Sequence, residues 1–401
     1  MAYNANRYNT AMTERIFAAP ETTNGTAVAP TAAYGLKLLS GCKVDQDVPH
    51  LTDEQRRYTF SMGDPIQGKR NVGTFNIPIY LNMPSALGTA PEWRRLMKSV
   101  CGVETVTADT SVVYTLSGPT VAPNTLTLWY LDLISQRRGT GAIAKELALK
   151  YNSAAADQAS IFQAAFSGEF LQQSKCTEDL LNTATDGSSS VLVVTDGTKF
   201  QVGNRVQVND NGTVDDNSGA GYPITAISSN TLTVTGTVAA HATPATCTVE
   251  PWAPSTVTEV GSPAHAGIGT SSIAGTTIKM VSADVKITSP WMIPTDEQST
   301  NEYPGAAYVP ANKREISGTV KLYDKSGLGG FFGKHQAHTP VTMTLAVQHR
   351  NGLVAFKLAM PRVFLGYPTY DGDSARYATF PFRAAWSSAY EDEATISLIA
   401  P

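Results

Sequence analysis

Charged residues are scarce in this sequence. Asp, Glu, Lys and Arg make up 16% of the 401 residues, whereas ordinary soluble proteins carry about 25%. The charge also lacks a basic excess, because 34 acidic residues outnumber 30 lysines and arginines and leave a net charge of −4. Proteins that coat DNA or membrane surfaces rely on a basic excess. The composition therefore argues against both roles.

Long apolar runs are also lacking. The longest fall well short of the roughly 18 residues that a bilayer-spanning helix requires, so we expect no membrane partner. Residues 1–30 are polar and rich in Ala, Thr and Asn. They lack the basic segment and following apolar run of a secretory signal peptide, so we expect no such signal.

Motifs for metal binding or catalysis are missing. The four cysteines are scattered without a C-x-x-C pair, which predicts reduced, mostly buried thiols: Cys42, Cys101, Cys176 and Cys247. His335 and His338 form an H-x-x-H without a third ligand at a recognisable spacing. The Gly-rich stretch before them has Leu328 where a phosphate-binding loop needs Gly. We predict no catalytic residue, cofactor or metal, with a hydrolase of unrecognised site as the alternative.

Runs of β-branched and aromatic residues dominate what is present. They cover residues 125–133, 142–151 and 159–171, and again 278–287, 315–323, 341–349, 353–365 and 377–386. Gly, Pro, Asn and Asp separate them, as is typical of strands and turns. The sequence therefore predicts a mainly β fold.

One helix is predicted between Pro91 and Gly102. Thr89 and Glu92 have the spacing of a capping box, and Pro91 falls in the first turn. Four apolar residues recur at i, i+3, i+4 and i+7, on a face that we expect to pack on a sheet: Trp93, Leu96, Met97 and Val100.

Differences in local composition divide the sequence into five segments. Residues 181–252 hold short apolar runs joined by Asp-Gly and Asn-Gly turns, which predicts a small inserted all-β domain. Residues 253–275 are rich in Pro, Ser, Gly and Thr and are typical of a linker. The remaining segments are an N-terminal arm at 1–34, a first β unit at 35–180 and a second β unit at 276–401.

The two β units share an internal similarity. Thr52, Asp53, Glu54 and Gln55 recur as Thr295, Asp296, Glu297 and Gln298, and downstream Lys69 and Arg70 recur as Lys313 and Arg314. A helical or Gly-rich turn and three long β runs then follow in the same order. This order predicts a duplicated unit, and two like units in one chain can occupy neighbouring positions in a ring.

Together these features resemble the tail tube proteins of long-tailed phages. The resemblance rests on the polar N-terminal arm, the Lys-Arg-x-x-(x)-Gly-Thr strand entries at Lys69 and Lys313, the capped helix and the small inserted β domain. It covers residues 30–180 and 275–401. It implies β-sandwich units with a flanking helix, whose inner strands form a barrel and whose rings stack into a tube for DNA.

The resemblance also implies partners. Most family members carry one unit and form hexamers, whereas two units imply the less common type that forms trimers with pseudo-six-fold symmetry. The other expected partners are the tape measure and tail-end proteins, with DNA only transiently in the lumen. The chain is then a virion tail protein assembled in the host cytoplasm, and not an enzyme.

Two long loops, 49–69 and 291–313, are expected to reach the next ring. The repeated Thr-Asp-Glu-Gln and Lys-Arg residues named above are the candidate inter-ring contacts. A charge-poor surface also suits a wall that encloses DNA without binding it. The alternatives are another virion protein, such as a baseplate, hub or decoration protein, and a surface-binding β-domain adhesin.

Overall fold

The chain is mainly β, as the sequence predicts. The computed structural model describes residues 14–47, 49–51, 66–67, 70–116, 118, 121–132, 135–153, 160–210, 212–241, 247–254, 257–258, 260–294, 308–310, 313–323, 329–348, 354–371, 376–387 and 392–400. Within them lie 34 strands, two α-helices and short 3-10 turns at Ala32–Tyr34 and Gly197–Lys199. No helix in these ranges is long and apolar enough to cross a bilayer.

The elements fall into three consecutive groups. The first group is β1 Arg15–Pro20, β2 Gly35–Leu36, β3 Lys43–Asp45, β4 His50–Leu51, β5 Ile66–Gln67, β6 Gly73–Tyr80, β7 Asn82–Met83, α1 Arg94–Cys101, β8 Gly102–Thr107, β9 Ser111–Leu116, β10 Leu126–Leu131, β11 Ser135–Asn152, β12 Gln163–Phe170 and β13 Gln172–Thr177. The second is β14 Asp179–Leu180, β15 Thr185–Asp186, β16 Val191–Val193, β17 Arg205–Asp210, β18 Thr213–Asp215, β19 Tyr222–Ser228, β20 Thr231–Val234, β21 Ala240–His241 and β22 Cys247–Pro251. The third is β23 Ser262–Pro263, β24 Ser271–Ile273, β25 Thr276–Ile278, β26 Met280–Thr288, β27 Trp291–Met292, β28 Val309–Pro310, β29 Glu315–Tyr323, α2 Gly329–Gln336, β30 Val341–Gln348, β31 Ala355–Leu365, β32 Thr369–Asp371, β33 Tyr377–Ala384 and β34 Thr395–Ile399.

The long strand β11 organises the first group. Its N-terminal half lies between β10 and β13, and its C-terminal half lies beside β12, which in turn pairs with β6 and then β3. Gly141 marks the change of sheet, with φ of +61°. A Cβ at Gly141 would lie 2.4 Å from the Leu171 side chain, so the bend requires glycine.

The third group is built around β31. Its N-terminal part lies between β30 and β34, and its C-terminal end pairs with β33. From β33 the sheet continues through β29 to β26. The outer strands β9 and β8 of the first group extend the other side through β34. All these pairings are antiparallel. Because β26 pairs with β11 and β34 pairs with β9, strands of the first and third groups belong to one continuous sheet.

One hydrophobic core serves both of these groups. Residues of β6 alternate between buried and more exposed positions, as expected for a sheet with one covered face. The core joins Phe75 and Phe166 of the first group to Phe356 and Phe380 of the third. The second group has a core of its own, formed by residues between Cys176 and Val249.

Helix α1 differs from the prediction at its start. It begins at Arg94, and Trp93 in the N-cap position makes no side-chain capping bond. The predicted capping box is wrong, because the buried Glu92 carboxylate instead accepts a hydrogen bond from Asn82 Nδ2 at 2.7 Å. The predicted end is confirmed, since Gly102 closes the helix with φ of +103°.

Helix α2 occupies the second Gly-rich turn. It covers Gly329–Gln336 and therefore includes His335 of the H-x-x-H motif. His335 Nδ1 lies 2.9 Å from the Leu365 carbonyl oxygen. The His338 ring stacks on Phe364 with 4.7 Å between centroids. The two histidines thus have separate partners.

The predicted arm and linker both contain paired strands. Within 1–34, residues 15–20 form β1, which pairs with β10, whereas residues 1–13 lie outside the described residues. Within 253–275, β23 pairs with β7 of the first group and β24 pairs with β30 of the third. This connecting segment therefore lies along both groups.

Candidate assembly surface

The first and third groups meet edge to edge where β11 pairs with β26. The ladder is antiparallel and extends from Glu146 opposite Thr288 to Asn152 opposite Ser282. Leu147 and Ile287, which are directly opposite, are both buried in the core. On the other face Lys286 Nζ lies 2.6 Å from Glu146 Oε2. Backbone pairing, apolar packing and an ion pair therefore all hold this junction.

The order of strand pairing is the same in both groups. In the first it is β3–β6–β12–β11–β10, and in the third it is β26–β29–β33–β31–β30. In each group, one extra residue shifts the register against the neighbouring strand. In β11 the shift against β12 lies between Ala144 and Glu146, and in the third group the shift against β33 lies between Leu365 of β31 and Thr369 of β32. By this order, β31 with β32 corresponds to β11, and β3 corresponds to β26.

Two strands in these corresponding positions have an open side. Among the described residues, β26 has a strand on each side, whereas β3 pairs only with β6 and β32 only with β33. An open strand edge presents backbone N–H and C=O groups that a further strand can pair with. In the pairing order, the open edge of β32 corresponds to the edge of β11 that pairs with β26, and the open edge of β3 corresponds to the edge of β26 that pairs with β11.

The hydrogen bonds of β33 indicate which backbone groups of β32 face its open side. Gly366 N–H donates to the Pro381 carbonyl, so alternate residues of β33 face this strand. The backbone N–H and C=O groups of Thr379 and Tyr377 therefore face β32, where their register partners are Thr369 and Asp371. The backbone N–H and C=O of Tyr370, between these two residues, consequently point to the open side.

Two large aromatic side chains lie near the same edge. Tyr367, which precedes β32, and Tyr370, in β32, are 63% and 45% exposed. Trp386, 54% exposed, lies at the other end of β33, where its carbonyl oxygen accepts a hydrogen bond from Arg362 Nη1 at 3.3 Å. Exposed apolar groups gathered in one region are typical of interaction surfaces.

The edge of β3 is partly covered. The Val44 carbonyl oxygen lies 3.3 Å from Arg137 Nη1 and 3.4 Å from Gln173 Nε2. Gln46 and Gln173 also exchange hydrogen bonds through their side chains and backbone N–H groups, at 3.1 and 2.8 Å. The uncovered part of this edge therefore lies before Val44.

The two long loops leave the sheet at corresponding places. A two-residue ladder of β4 and β5 closes the base of one, and a similar ladder of β27 and β28 closes the other. The first loop lies between β3 and β6, and the second between β26 and β29. The candidate contacts of the loop tips lie outside the described residues: Thr52, Asp53, Glu54, Gln55, Lys69, Thr295, Asp296, Glu297 and Gln298.

The other candidate loop residues have different surroundings. Arg70 is half-buried and Lys313 is exposed. Arg314 is nearly buried, with Nη1 at 3.3 Å from Glu393 and 3.9 Å from Asp392. Asp392 also accepts the Leu116 N–H at 2.9 Å, and burial raises the pKa of its carboxyl to about 6. Asp392 therefore connects Arg314, just before β29, with Leu116, the last residue of β9.

The four predicted helix residues lie in the core. Trp93, Leu96 and Met97 are fully buried and Val100 nearly so. Trp93 Nε1 donates to the Asn82 carbonyl at 3.0 Å. Its ring lies 6.0 Å from Tyr114 and 6.4 Å from Phe356, between centroids. The helix therefore contacts strands of both groups.

The sheet face opposite the core carries small polar residues and paired charges. Thr74, Asn76, Ser282 and Thr319 alternate there with buried neighbours. Four cations on or beside this face are within ion-pair distance of carboxylates: Lys145–Glu169 at 2.6 Å, Lys286–Glu146 at 2.6 Å, Lys321–Asp371 at 2.7 Å and Arg383–Glu315 at 3.6 Å. The period-2 pattern could have located this face, but cross-strand partners depend on register.

Comparison with known proteins identifies a family. The family model described as "Phage tail tube protein" matches residues 13–384. No curated protein matches the chain. The matched residues extend from the start of β1 to the end of β33. They therefore include the corresponding edges and the second strand group, but not β34. Since the match extends over nearly the whole sequence, the chain belongs to the phage tail tube protein family.

Proposed function

We propose that three copies of this chain close into a ring of six tube units, and that stacked rings form the conduit for DNA ejection. The family establishes a structural role in the phage tail. The repeated pairing order supports two units in each chain. The β11–β26 ladder is the observation that carries the proposal, since it joins within a single chain the first and third strand groups, which we assign as the two units.

Ring closure follows by repeating that junction between copies. The open edge of β31 and β32 in one copy pairs with the uncovered edge of β3 in the next, as β11 pairs with β26. A closed barrel removes the exposed edges that otherwise promote aggregation. The exposed aromatic residues beside β32 are buried when the neighbouring copy is in place. A ring of three chains then has pseudo-six-fold symmetry.

The polar sheet face forms the wall of the lumen in this arrangement. DNA passes it without lasting contacts, because the cations named above are already neutralised by carboxylates of the same chain. Each phosphate contact would otherwise release counterions and strengthen binding. DNA is thus a transient occupant and not a ligand.

Stacking is assigned to the two long loops. They arise from corresponding places in the two units, so a ring presents six of them toward its neighbour. The Thr-Asp-Glu-Gln segments at 52–55 and 295–298, with Lys69, Arg70 and Lys313, are the proposed inter-ring contacts. Arg314 is the weakest of these candidates because its guanidinium pairs inside the chain. Tape measure and tail-end proteins are the proposed partners in the lumen and at the tube ends, with assembly in the host cytoplasm.

The ring can be tested directly. Negative-stain microscopy of the purified chain should show stacked rings with a lumen. Native mass measurement of a dissociated ring should give three times the 42.7 kDa chain mass. Six chains in a ring would contradict the double-unit arrangement, and a monomer at every concentration would contradict self-assembly. The adhesin alternative predicts the monomer.

A further inference from the structure

Three potential metal ligands converge in the small β domain. Asp210, at the end of β17, lies directly opposite Cys247, the first residue of β22. His241, on β21, completes the group, and one ligand atom from each of the three lies within 4.8 Å of the others. His241 and Cys247 are buried, while the Asp210 side chain is one quarter exposed. The group is therefore open to solvent on the Asp210 side.

The hydrogen bonds around His241 orient its ring. Nε2 lies 3.1 Å from Asp215 Oδ2. That carboxylate also accepts the Tyr222 hydroxyl at 2.7 Å and the Ala239 N–H at 2.9 Å. Because these two donors point at the Asp215 carboxylate, it is an acceptor here, and it accepts the Nε2 proton as well. In the neutral imidazole, Nδ1 is then the nitrogen with the free lone pair.

That lone pair is directed toward a second carboxylate. His241 Nδ1 and Asp210 Oδ2 are 3.7 Å apart, which is too long for a hydrogen bond. Two electron-rich atoms at this distance repel unless a cation lies between them. Ligands of a tetrahedral zinc ion, at bond lengths of about 2.0–2.2 Å, are separated by roughly 3.3–3.6 Å. The observed 3.7 Å between His241 Nδ1 and Asp210 Oδ2 is close to the upper end of that range.

We propose that Asp210, His241 and Cys247 bind a divalent transition metal of the zinc class, with Asp215 orienting the histidine. One thiolate, one imidazole and one carboxylate suit zinc better than calcium or magnesium, which prefer oxygen ligands. A water molecule fills the fourth position. The carboxylate–histidine–metal arrangement is a common way of fixing the ligating tautomer.

The charges at the site balance when the metal is bound. The Cys247 thiol is buried, and burial favours the protonated thiol in the metal-free chain. Metal binding replaces that proton, which goes to solvent, by a metal–sulfur bond. The thiolate and the Asp210 carboxylate then offset the two charges of the ion. The ion joins β17, β21 and β22 and stabilises this domain.

Cobalt titration of the reduced, metal-free full-length chain tests the site. One equivalent of Co²⁺ should produce a thiolate-to-cobalt charge-transfer absorption in the near ultraviolet and strong visible bands typical of four-coordinate cobalt. One equivalent of Zn²⁺ should abolish both, because zinc binds such sites more tightly than cobalt. Absence of the charge-transfer band would overturn the proposal, since the network then holds only a protonated histidine between two carboxylates.

Two cysteine variants provide a matched pair. Cys247→Ala should abolish the charge-transfer band, whereas Cys176→Ala should retain it, although both thiols are fully buried in the same core. Asp210→Asn, which keeps the side-chain shape, should weaken cobalt binding at least tenfold. Asp215→Asn should weaken it by about 10–100-fold. A band that survives in Cys247→Ala, or unchanged affinity in Asp210→Asn, contradicts the proposed ligands.

Discussion

At the residue scale, three fully buried side chains hold α1 and its N-cap residue against the sheet. The spacing of Trp93, Leu96 and Met97 identified the buried face of α1 because helix periodicity depends only on near neighbours. The capping box failed for the opposite reason. Glu92 is bonded by Asn82, which reaches it through tertiary folding. No local pattern reports such a partner.

The two tryptophans Trp93 and Trp386 should differ sharply when truncated. Trp93→Ala removes a fully buried ring that contacts Tyr114 and Phe356, so the free energy of unfolding of the monomer should fall by about 3–5 kcal/mol. Trp386→Ala, at 54% exposure, should change it by less than about 0.5 kcal/mol. Denaturant titration of the monomer measures both effects. Equal destabilisation by both variants would contradict the different burial of the two rings.

The Asp392 carboxyl should make stability fall as pH rises. Its pKa is about 6 in the folded chain, with burial as the main cause, against about 3.9 when unfolded. Between these pH values the folded state holds the extra proton, so raising the pH from 4 to 6 costs stability. Asp392→Asn removes that loss, and its Tm relative to the original chain should therefore increase over this range.

Asp186→Asn is the control for this pH effect. Hydrogen bonds from Ser188 lower the pKa of the Asp186 carboxyl below its ordinary value, so this group is almost fully ionised above pH 5 in both the folded and the unfolded state. The Tm difference between Asp186→Asn and the original chain should therefore be nearly flat between pH 5 and 6. A flat difference for Asp392→Asn as well would argue against a raised pKa at Asp392.

At the element scale, the sequence located most long strands but not their partners. The run at 142–151 lies within β11, and the run at 377–386 contains all of β33. It did not indicate that one strand, β11, serves two sheets through a bend at Gly141. Pairing and register arise from contacts between distant residues, and a strand's own alternation does not encode them. The duplicated order stays a prediction from sequence that the pairing pattern supports.

The outward N–H of Tyr370 should be needed for ring closure. Tyr370→Pro removes this donor from the open edge while Thr369 and Asp371 keep their bonds to β33, because proline is tolerated on edge strands. We expect the variant to remain a folded monomer with little or no tube. Sedimentation of purified protein measures the loss of assembly, and Tm of the monomer checks the fold.

The matched variant Tyr370→Ala separates the backbone from the side chain. It keeps the N–H but loses the aromatic ring, so tubes should still form, at a higher protein concentration. If Tyr370→Pro assembles as well as the original chain, β32 is not the pairing edge. If both variants fail equally, the aromatic side chain and not the ladder carries the contact.

At the scale of the whole molecule, the low fraction of charged residues is interpreted differently once the charged side chains on the sheet face opposite the core are located. From composition alone, 16% charged residues argued against nucleic acid as a partner. In the folded chain, the four cations of the ion pairs described above lie beside carboxylates, so their charges are neutralised at short range. The sequence could not give this arrangement, because Glu146 and Lys286 are 140 positions apart and meet only through the β11–β26 ladder.

Removing the neutralising carboxylates should turn this wall into a DNA-binding surface. The double variant Glu146→Gln, Glu169→Gln leaves Lys286 and Lys145 without their partners, while the amides preserve side-chain shape. In a ring of three chains it frees six cations, so DNA should move more slowly through the tube. Because phosphate contacts release counterions, the delay should be large at low salt and vanish as salt is raised.

A charge-matched control isolates the position of the charges. Asp109→Asn with Asp216→Asn removes the same two negative charges at turns away from this face, and it should leave ejection unchanged. Ejection rates of phages assembled with each variant, measured across salt concentrations, give the comparison. Equal delay in both would indicate an effect of net charge, and no delay in the first would mean that this face does not line the lumen.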